Sequence, residues 1–130
     1  MNEPQLAYLL PALRLIQDAP TAKWSYIDIF WTITIPSNIE FTIVDMNIAG
    51  KMNNLPGGET TMEVHIIAPD GDVFAKSSLT GSVEQGDSDI TAYFSNLRFD
   101  RPGRYSMRVL YSNKVYKDDG KFYFDVKKAS

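Results

Sequence analysis

The side chains that could support acid–base chemistry are few, and one histidine stands out among them. His65 is the only histidine in the chain, so a catalytic triad or a multi-histidine metal site would have to depend on it. It lies on the polar side of an alternating segment, two residues after Glu63. An exposed strand often carries such a pair, so we interpret His65 as a solvated strand residue. We therefore predict no catalytic residues and no enzymatic activity.

Carboxylates gather in two loop segments and raise the question of a metal site. Asp70 and Asp72 flank a glycine, and Glu84, Asp87 and Asp89 crowd a polar stretch. Loop oxygens of this kind can bind calcium. The ligand order of the helix-loop-helix calcium motif is absent, however, and Asp-Gly is a common turn sequence. We predict no metal ligands and keep a calcium-binding module as an alternative.

Other cofactor chemistry has little support in the sequence. Gly57 and Gly58 are not followed by the lysine and the helix that a phosphate-binding loop requires, so we interpret them as turn residues. The chain has no cysteine, which excludes disulfides, thiolate metal sites and thiol nucleophiles. We predict that the protein needs no cofactor.

The charge balance argues against nucleic acid as a partner. Thirteen basic and sixteen acidic residues give a net charge of −3, and the two signs are interspersed along the chain. Arg98, Arg101, Arg104 and Arg108 cluster in one segment, which we interpret as a solvated face because phosphate binding requires a concentrated basic surface.

Aromatic side chains offer a different kind of surface. Trp24, Tyr26 and Phe30 share one side of an alternating segment, where they could stack on sugar rings or contact a protein. We favour a second covered face or a subunit contact, which includes a possible homodimer.

The element that positions these groups most clearly is the segment 96–113. Tyr105, Met107, Val109 and Tyr111 alternate with mostly polar residues, which predicts a strand with one buried face. The preceding run 97–99 also alternates, and Asp-Arg-Pro-Gly at 100–103 has the chemistry of a turn. We therefore predict an antiparallel hairpin made of these two runs.

Similar alternation recurs along the chain, separated by turn residues. The longest run, 25–35, predicts a single strand, and Pro11 within 6–16 predicts an edge or bulged strand there. A hairpin is predicted around 117–121, with Phe122, Phe124 and Val126, or else Tyr123 alone, buried in its second arm. Seven to nine strands and no helix result, which indicates an all-β, antiparallel, immunoglobulin-like sandwich in a single domain, 1–130.

No segment approaches the roughly twenty apolar residues that span a bilayer. The apolar start at 6–10 has the look of a short signal sequence, but Pro11 and Arg14 interrupt it and no clean cleavage site follows. We expect a first structural element there, no membrane partner, and a cytoplasmic location, which the absence of cysteine suits.

Across nearly its full length the chain resembles a group of small bacterial proteins described only as a domain of unknown function. The resemblance is carried by YLL at 8–10, KWSYIDIF at 23–30, PDG at 69–71, NLRF at 96–99 and PGRY at 102–105. It implies an immunoglobulin-like β-sandwich and supplies no catalytic residues. The sequence thus predicts a non-catalytic protein-interaction or accessory module with an unidentified protein partner. The alternative is a carbohydrate- or calcium-binding module that uses exposed aromatics or acidic loops.

Overall fold

Two β-sheets packed face to face make up the computed structural model of this protein. The structure describes residues 4–17, 24–29, 31–83, 85–112, 114–116 and 122–129, without the side chains of 14–17, 24–28, 59–60 and 79–83. These residues form ten strands and no helix, which confirms the predicted all-β sandwich and adds one strand to the predicted range. The strands are β1 (Gln5–Gln17), β2 (Trp24–Ile29), β3 (Thr32–Ile35), β4 (Thr42–Leu55), β5 (Gly58–Ile67), β6 (Val73–Val83), β7 (Gly86–Phe99), β8 (Gly103–Tyr111), β9 (Lys114–Tyr116) and β10 (Tyr123–Lys128).

The first sheet has the strand order β2-β1-β4-β7 and is antiparallel throughout. The second sheet has the order β3-β10-β8-β5-β6, with the short β9 paired to the end of β8. Its strands are antiparallel except for β3, which lies parallel to β10. The sequence predicted an antiparallel sandwich, and one pair departs from it, because the edge strand β3 runs parallel to β10.

The core lies between the sheets and follows the predicted alternation. Tyr105, Met107, Val109 and Tyr111 are buried, while Leu110 points outward and is half-buried. Aromatic rings from both sheets meet in the centre, where the ring centroids of Phe99 and Tyr105 are 5.3 Å apart at an interplanar angle of 80°. Edge-to-face pairs of this kind add to the stabilisation that burial provides.

The predicted hairpin between 97–99 and 105–111 is wrong. β7 pairs with β4 in the first sheet, whereas β8 pairs with β5 and β10 in the second. The turn at 100–103 therefore carries the chain from one sheet to the other, and the hydroxyl of Tyr105 donates a hydrogen bond of 2.9 Å to the carbonyl of Arg101. Both runs alternate because each has a buried face, and alternation alone does not tell which strands pair.

The single strand predicted over 25–35 is also divided between the sheets. β2 pairs with β1 in the first sheet, and β3 pairs with β10 in the second. Between them, the carbonyl of Trp31 accepts a hydrogen bond of 2.9 Å from the amide of Asp125. Ile33 and Ile35 are buried on the inner side of the second sheet, as the predicted alternation of this segment requires.

Of the two predictions for the proline-containing first strand, an edge or a bulged strand, the structure supports an irregular strand, because β1 lies between β2 and β4. Pro11 pairs with Ile48 of β4. A register shift follows Leu6. In the last strand Phe124 and Val126 are buried and Tyr123 is half-buried on the other face, which decides between the two predicted alternatives. The hairpin predicted around 117–121 lies outside the described residues.

Candidate functional site

The outer face of the second sheet carries an excess of positive charge. Outward positions follow from the alternation with the buried residues of β5, β8 and β10, and in β6 from its pairing with β5. Among the outward positions whose side chains the structure describes, the charged ones are four cations and two carboxylates, namely Lys76, Arg104, Arg108, Lys127, Glu63 and Asp125. We call the surface formed by these six side chains the cationic face, and their formal charges sum to +2 in a chain whose net charge is −3.

The outer face of the first sheet has the opposite sign. Its charged side chains in β4 and β7 are three carboxylates and two cations, namely Asp45, Asp87, Asp89, Lys51 and Arg98. Exposed apolar side chains accompany them, including Tyr93 and Ile43, which are 59% and 56% exposed. The two faces of the sandwich therefore differ in both charge and polarity.

The cations of the second sheet form a diagonal line. Arg108 and Lys76 lie in one row on either side of His65, two strand spacings apart, or about 10 Å. Arg104 lies four residues from Arg108 along β8, about 13 Å away, and Lys127 lies beyond it on the neighbouring strand. From Lys76 to Lys127 the line crosses the face over roughly 25 Å, a length suited to an extended polyanion.

His65 lies at the centre of the face and is buried, with 7% of its surface exposed. The predicted solvated histidine is therefore wrong. Nε of Arg108 donates a hydrogen bond of 3.1 Å to Nδ1 of His65, so Nδ1 acts as an acceptor and the imidazole is neutral. Nε2 of His65 lies 3.6 Å from Oε2 of Glu63. Burial and the neighbouring Arg108 charge lower the pKa of His65 from its usual 6.5.

This arrangement gives His65 a structural task. Its Nδ1 is occupied by Arg108 and its Nε2 is buried, so neither ring nitrogen is free to accept a proton from a substrate. Glu63 also accepts a hydrogen bond of 3.3 Å from the hydroxyl of Ser78. The result is a packed polar row that holds Arg108 in place across β5, β6 and β8.

A second arginine of the face is held by a ring and a carboxylate. Nε and Nη2 of Arg104 donate to the two carboxylate oxygens of Asp125 at 3.0 and 3.5 Å, and this pairing raises the pKa of Arg104 above its ordinary value. Its Cζ lies 3.8 Å from the centroid of the Tyr123 ring, a cation–π contact. Because 58% of the Arg104 side chain remains exposed, the guanidinium is both oriented and accessible.

The four clustered arginines of the sequence belong to three different places. Arg104 and Arg108 lie on the cationic face, while Arg98 lies on the first sheet with its Cζ 4.0 Å from the centroid of the Phe41 ring. Arg101 lies in the turn between the sheets and donates a hydrogen bond of 3.0 Å to Asp70. The predicted single arginine surface is therefore divided by the fold.

The acidic loops do not come together as a metal site in the described part of the chain. Asp70 accepts hydrogen bonds from the backbone amide of Asp72 and from Arg101, which lower its pKa from 3.8. Asp87 lies 3.8 Å from Lys51, and Glu84 lies outside the described residues. Among those residues, no group of three or more histidines, cysteines or carboxylates could hold a metal ion.

The remaining sequence candidates have simpler outcomes. Gly57 and Gly58 have positive φ angles of 84° and 103° between β4 and β5, which fits the predicted turn. The side chains of Trp24, Tyr26 and Phe30 lie outside the described ones, so the proposed aromatic surface stays a prediction.

Sequence reasoning missed the cationic face because it counted charges along the chain and not by strand face. The signal was present. Arg104, Arg108 and Lys127 fall on the parity opposite to the buried residues of their strands, and Lys76 pairs with His65 on the same face. A charge count by strand parity therefore finds three of the four cations from the sequence.

Comparison with known proteins places this two-sheet architecture beside part of a DNA-bound enzyme. No described protein family and no curated protein matches the sequence. Among solved structures, the chain is similar to the alkylpurine DNA glycosylase AlkC of Pseudomonas fluorescens, bound to DNA containing an abasic site analog. The sequence identity is 14% and the TM-score is 0.54, over 96% of this chain and 30% of AlkC. The chain thus spans about a third of the length of AlkC.

The comparison corrects two predictions made from the sequence. The protein-interaction module, with its carbohydrate- or calcium-binding alternative, is wrong, and so is the exclusion of nucleic acid, since the structural neighbour is a DNA-bound glycosylase. The exclusion relied on the net charge, which averages a cationic face with an acidic one.

In the described part of the chain, no helix has the length and apolarity to cross a membrane.

Proposed function

We propose that this chain is a DNA-binding β-sandwich module whose cationic face contacts the sugar–phosphate backbone. The observation that carries the proposal is the separation of charge between the two outer faces, +2 on the second sheet and −1 on the first for the residues named above. A line of cations on one surface is what a phosphate backbone requires, and it supplies most of the affinity in non-specific DNA binding.

The cations differ in the tasks we assign to them. Lys76 and Lys127 are exposed and supply mobile point charges for phosphates. Arg108 is fixed by His65, so its guanidinium presents an oriented fork to a phosphate oxygen. The charge of Arg104 is offset by Asp125, and we assign it no phosphate contact.

The fold similarity to a DNA-bound protein supports the proposal. AlkC is bound to DNA in its structure, and the likeness covers nearly the whole of this chain but 30% of AlkC. We assign DNA binding to this chain and no base removal. In support, both nitrogens of His65 are engaged or buried. Incubation with alkylated DNA should therefore release no alkylpurine.

Fluorescence anisotropy with a labelled DNA strand tests the proposal. The double variant Lys76→Gln, Lys127→Gln removes two exposed cations from the cationic face, and we expect weaker binding. The slope of log affinity against log salt should fall by roughly 0.7 for each phosphate of a single strand that the variant no longer neutralises.

The double variant Lys51→Gln, Arg98→Gln is the matched control because it removes the same charge from the first sheet. It should bind as the unsubstituted protein does. An equal decrease in affinity in the two double variants would mean that net charge, and not the cationic face, governs binding. Absence of binding by the unsubstituted protein at low salt would overturn the proposal.

Four finer assignments remain proposals. We retain the immunoglobulin-like subclass and the single domain over 1–130, which the packing of both sheets around one core supports. Membership of the small bacterial family has the support of the sequence segments named above. A cytoplasmic location, favoured by the lack of cysteine, gives a DNA-binding module access to its ligand.

A further inference from the structure

We infer that Arg104, held by Tyr123 and Asp125, is a stacking site for an unpaired nucleobase, so that the module prefers single-stranded DNA with its bases present. This inference rests on the proposed DNA binding and adds the class of DNA. The site is the exposed face of the Arg104 guanidinium, on the outer surface of β8 beside β10.

The geometry fixes the plane of the guanidinium. Tyr123 contacts one face of the group, with Cζ of Arg104 3.8 Å from the ring centroid. Asp125 holds the edge that carries Nε and Nη2, at 3.0 and 3.5 Å. With 58% of the side chain exposed, the guanidinium keeps surface that a ligand can reach. Bases stack on arginine planes of this kind in single-strand recognition.

The charge at this position favours a base over a phosphate. The Asp125 carboxylate offsets the charge of Arg104 and occupies one of the two guanidinium edges that can form paired hydrogen bonds, the one with Nε and Nη2. A phosphate brought to the same group would be repelled by Asp125, whereas an uncharged aromatic base would not. A stacked base would also gain from the polarised pair of guanidinium and ring beneath it.

The position of Arg104 within the cationic face suits a DNA strand whose phosphates contact the other cations of the face. Tyr123 lies opposite Ser106, between the rows of Arg104 and Arg108, and Lys127 lies on the next outward position after Asp125. Phosphate contacts on both sides of Arg104 would place a base over it. A base within a duplex is already stacked and paired, so only an unpaired base can occupy the site.

The test compares two labelled single strands of about twelve nucleotides, a length within the site sizes of single-strand binding modules. One strand is oligothymidine, and the other has the same phosphates with every nucleotide replaced by an abasic analogue. We expect the protein to bind oligothymidine more tightly, by fivefold to a hundredfold, since stacking contributes about 1–3 kcal/mol per base. A duplex of the same length serves as the third ligand, and the stacking site should add nothing to its affinity because its bases are already paired and stacked.

The variant Arg104→Lys keeps the charge and removes the plane. It should lose the preference for oligothymidine while its affinity for the abasic strand stays unchanged. Arg98→Lys is the matched control, because Arg98 lies over the Phe41 ring in a similar way on the opposite sheet, and it should keep the preference. Circular dichroism checks that each variant folds. If Arg104→Lys does not fold, Tyr123→Leu replaces it, because this variant keeps every charge and removes the ring that orients the guanidinium; it should lose the same preference.

The outcomes separate the two proposals. An Arg104→Lys protein that keeps the preference, or that binds both strands more weakly by the same factor, would overturn the stacking site and leave DNA binding intact. A preference for duplex over oligothymidine in the unsubstituted protein would also overturn it. Failure to bind any of the three ligands would overturn the proposed function and, with it, this inference.

Discussion

At the scale of single residues, the burial of His65 determines its protonation state. His65 is buried on the outer side of a sheet, where Arg108 donates to its Nδ1 at 3.1 Å. A protonated imidazole has no lone pair to accept that bond, and it would face the cations Arg108 and Lys76 with Glu63 as its one carboxylate neighbour among the described residues. The folded protein therefore favours the neutral form.

The lowered pKa of His65 predicts a loss of stability in acid. Its folded pKa lies below 6.5, so the unfolded chain binds more protons in the interval between the two values. The free energy of unfolding is therefore fully retained above pH 6.5 and falls as the pH drops from 6.5 toward the folded pKa. Urea unfolding of the protein and of His65→Gln, between about pH 5 and pH 7.5 around the ordinary imidazole value, measures this. His65→Gln should have the flatter profile, and identical profiles would contradict the prediction.

Tyr105 connects the turn between the sheets to the core. Burial raises the pKa of its hydroxyl above 10.0, and that hydroxyl donates to the carbonyl of Arg101 at 2.9 Å. Tyr105→Phe keeps the ring and removes this bond, so we expect a decrease of about 1 kcal/mol in the free energy of unfolding. Tyr111→Phe, at the other end of β8, is the control and should show a smaller decrease. Equal effects of the two substitutions would argue against a role for the turn bond.

At the scale of elements, the crossing between β7 and β8 depends on a close contact between two turns. Gly103 begins β8 with a φ of 143°, and a Cβ added there would lie 2.6 Å from Cγ of Pro69 in the turn between β5 and β6. The Asp70–Arg101 ion pair joins the same two turns. Any side chain at 103 would therefore force the turns apart.

The variant Gly103→Ala should lower the free energy of unfolding by about 2 kcal/mol, the range expected for combined backbone strain and overpacking. Gly71→Ala is the matched control because Gly71 also has a positive φ, 95°, but nothing lies within 4 Å of its added Cβ. Thermal or urea unfolding compares the two proteins. A destabilisation of Gly71→Ala as large as that of Gly103→Ala would remove the contact with Pro69 from the explanation.

The elements also mark what the sequence could predict and what it could not. The buried parity of β8 was predictable because alternation is a local property, and Tyr105, Met107 and Val109 are buried accordingly. Strand pairing is not local. Since residues 97–99 and 105–111 each have one buried face, they satisfy a hairpin and a crossing equally well, and the facing sheet decides between them. The position of His65 was missed for a similar reason, because its burial depends on Arg108 and Lys76 from neighbouring strands.

At the scale of the whole molecule, the separation of charge between the two outer faces matters more than the net charge of −3. Among the described side chains, a polyanion approaching the second sheet meets four cations and two carboxylates, whereas β4 and β7 of the first sheet present three carboxylates and two cations. Over distances near the Debye length, about 8 Å at physiological salt, the local face and not the distant one is felt. The sequence contained these residues, but their assignment to faces required the strand parities of the whole sandwich.

Mapping the DNA contact on the isotopically labelled protein tests the central claim most directly. Two-dimensional NMR spectra recorded with increasing single-stranded DNA at low salt should show shifts of amides in β8 and β10 and around Lys76. The amide signals of Asp45 in β4 and of Asp89 and Tyr93 in β7 should not shift. Shifts confined to the first sheet, or no shifts as the DNA is added, would contradict the assignment of the cationic face as the DNA-binding surface.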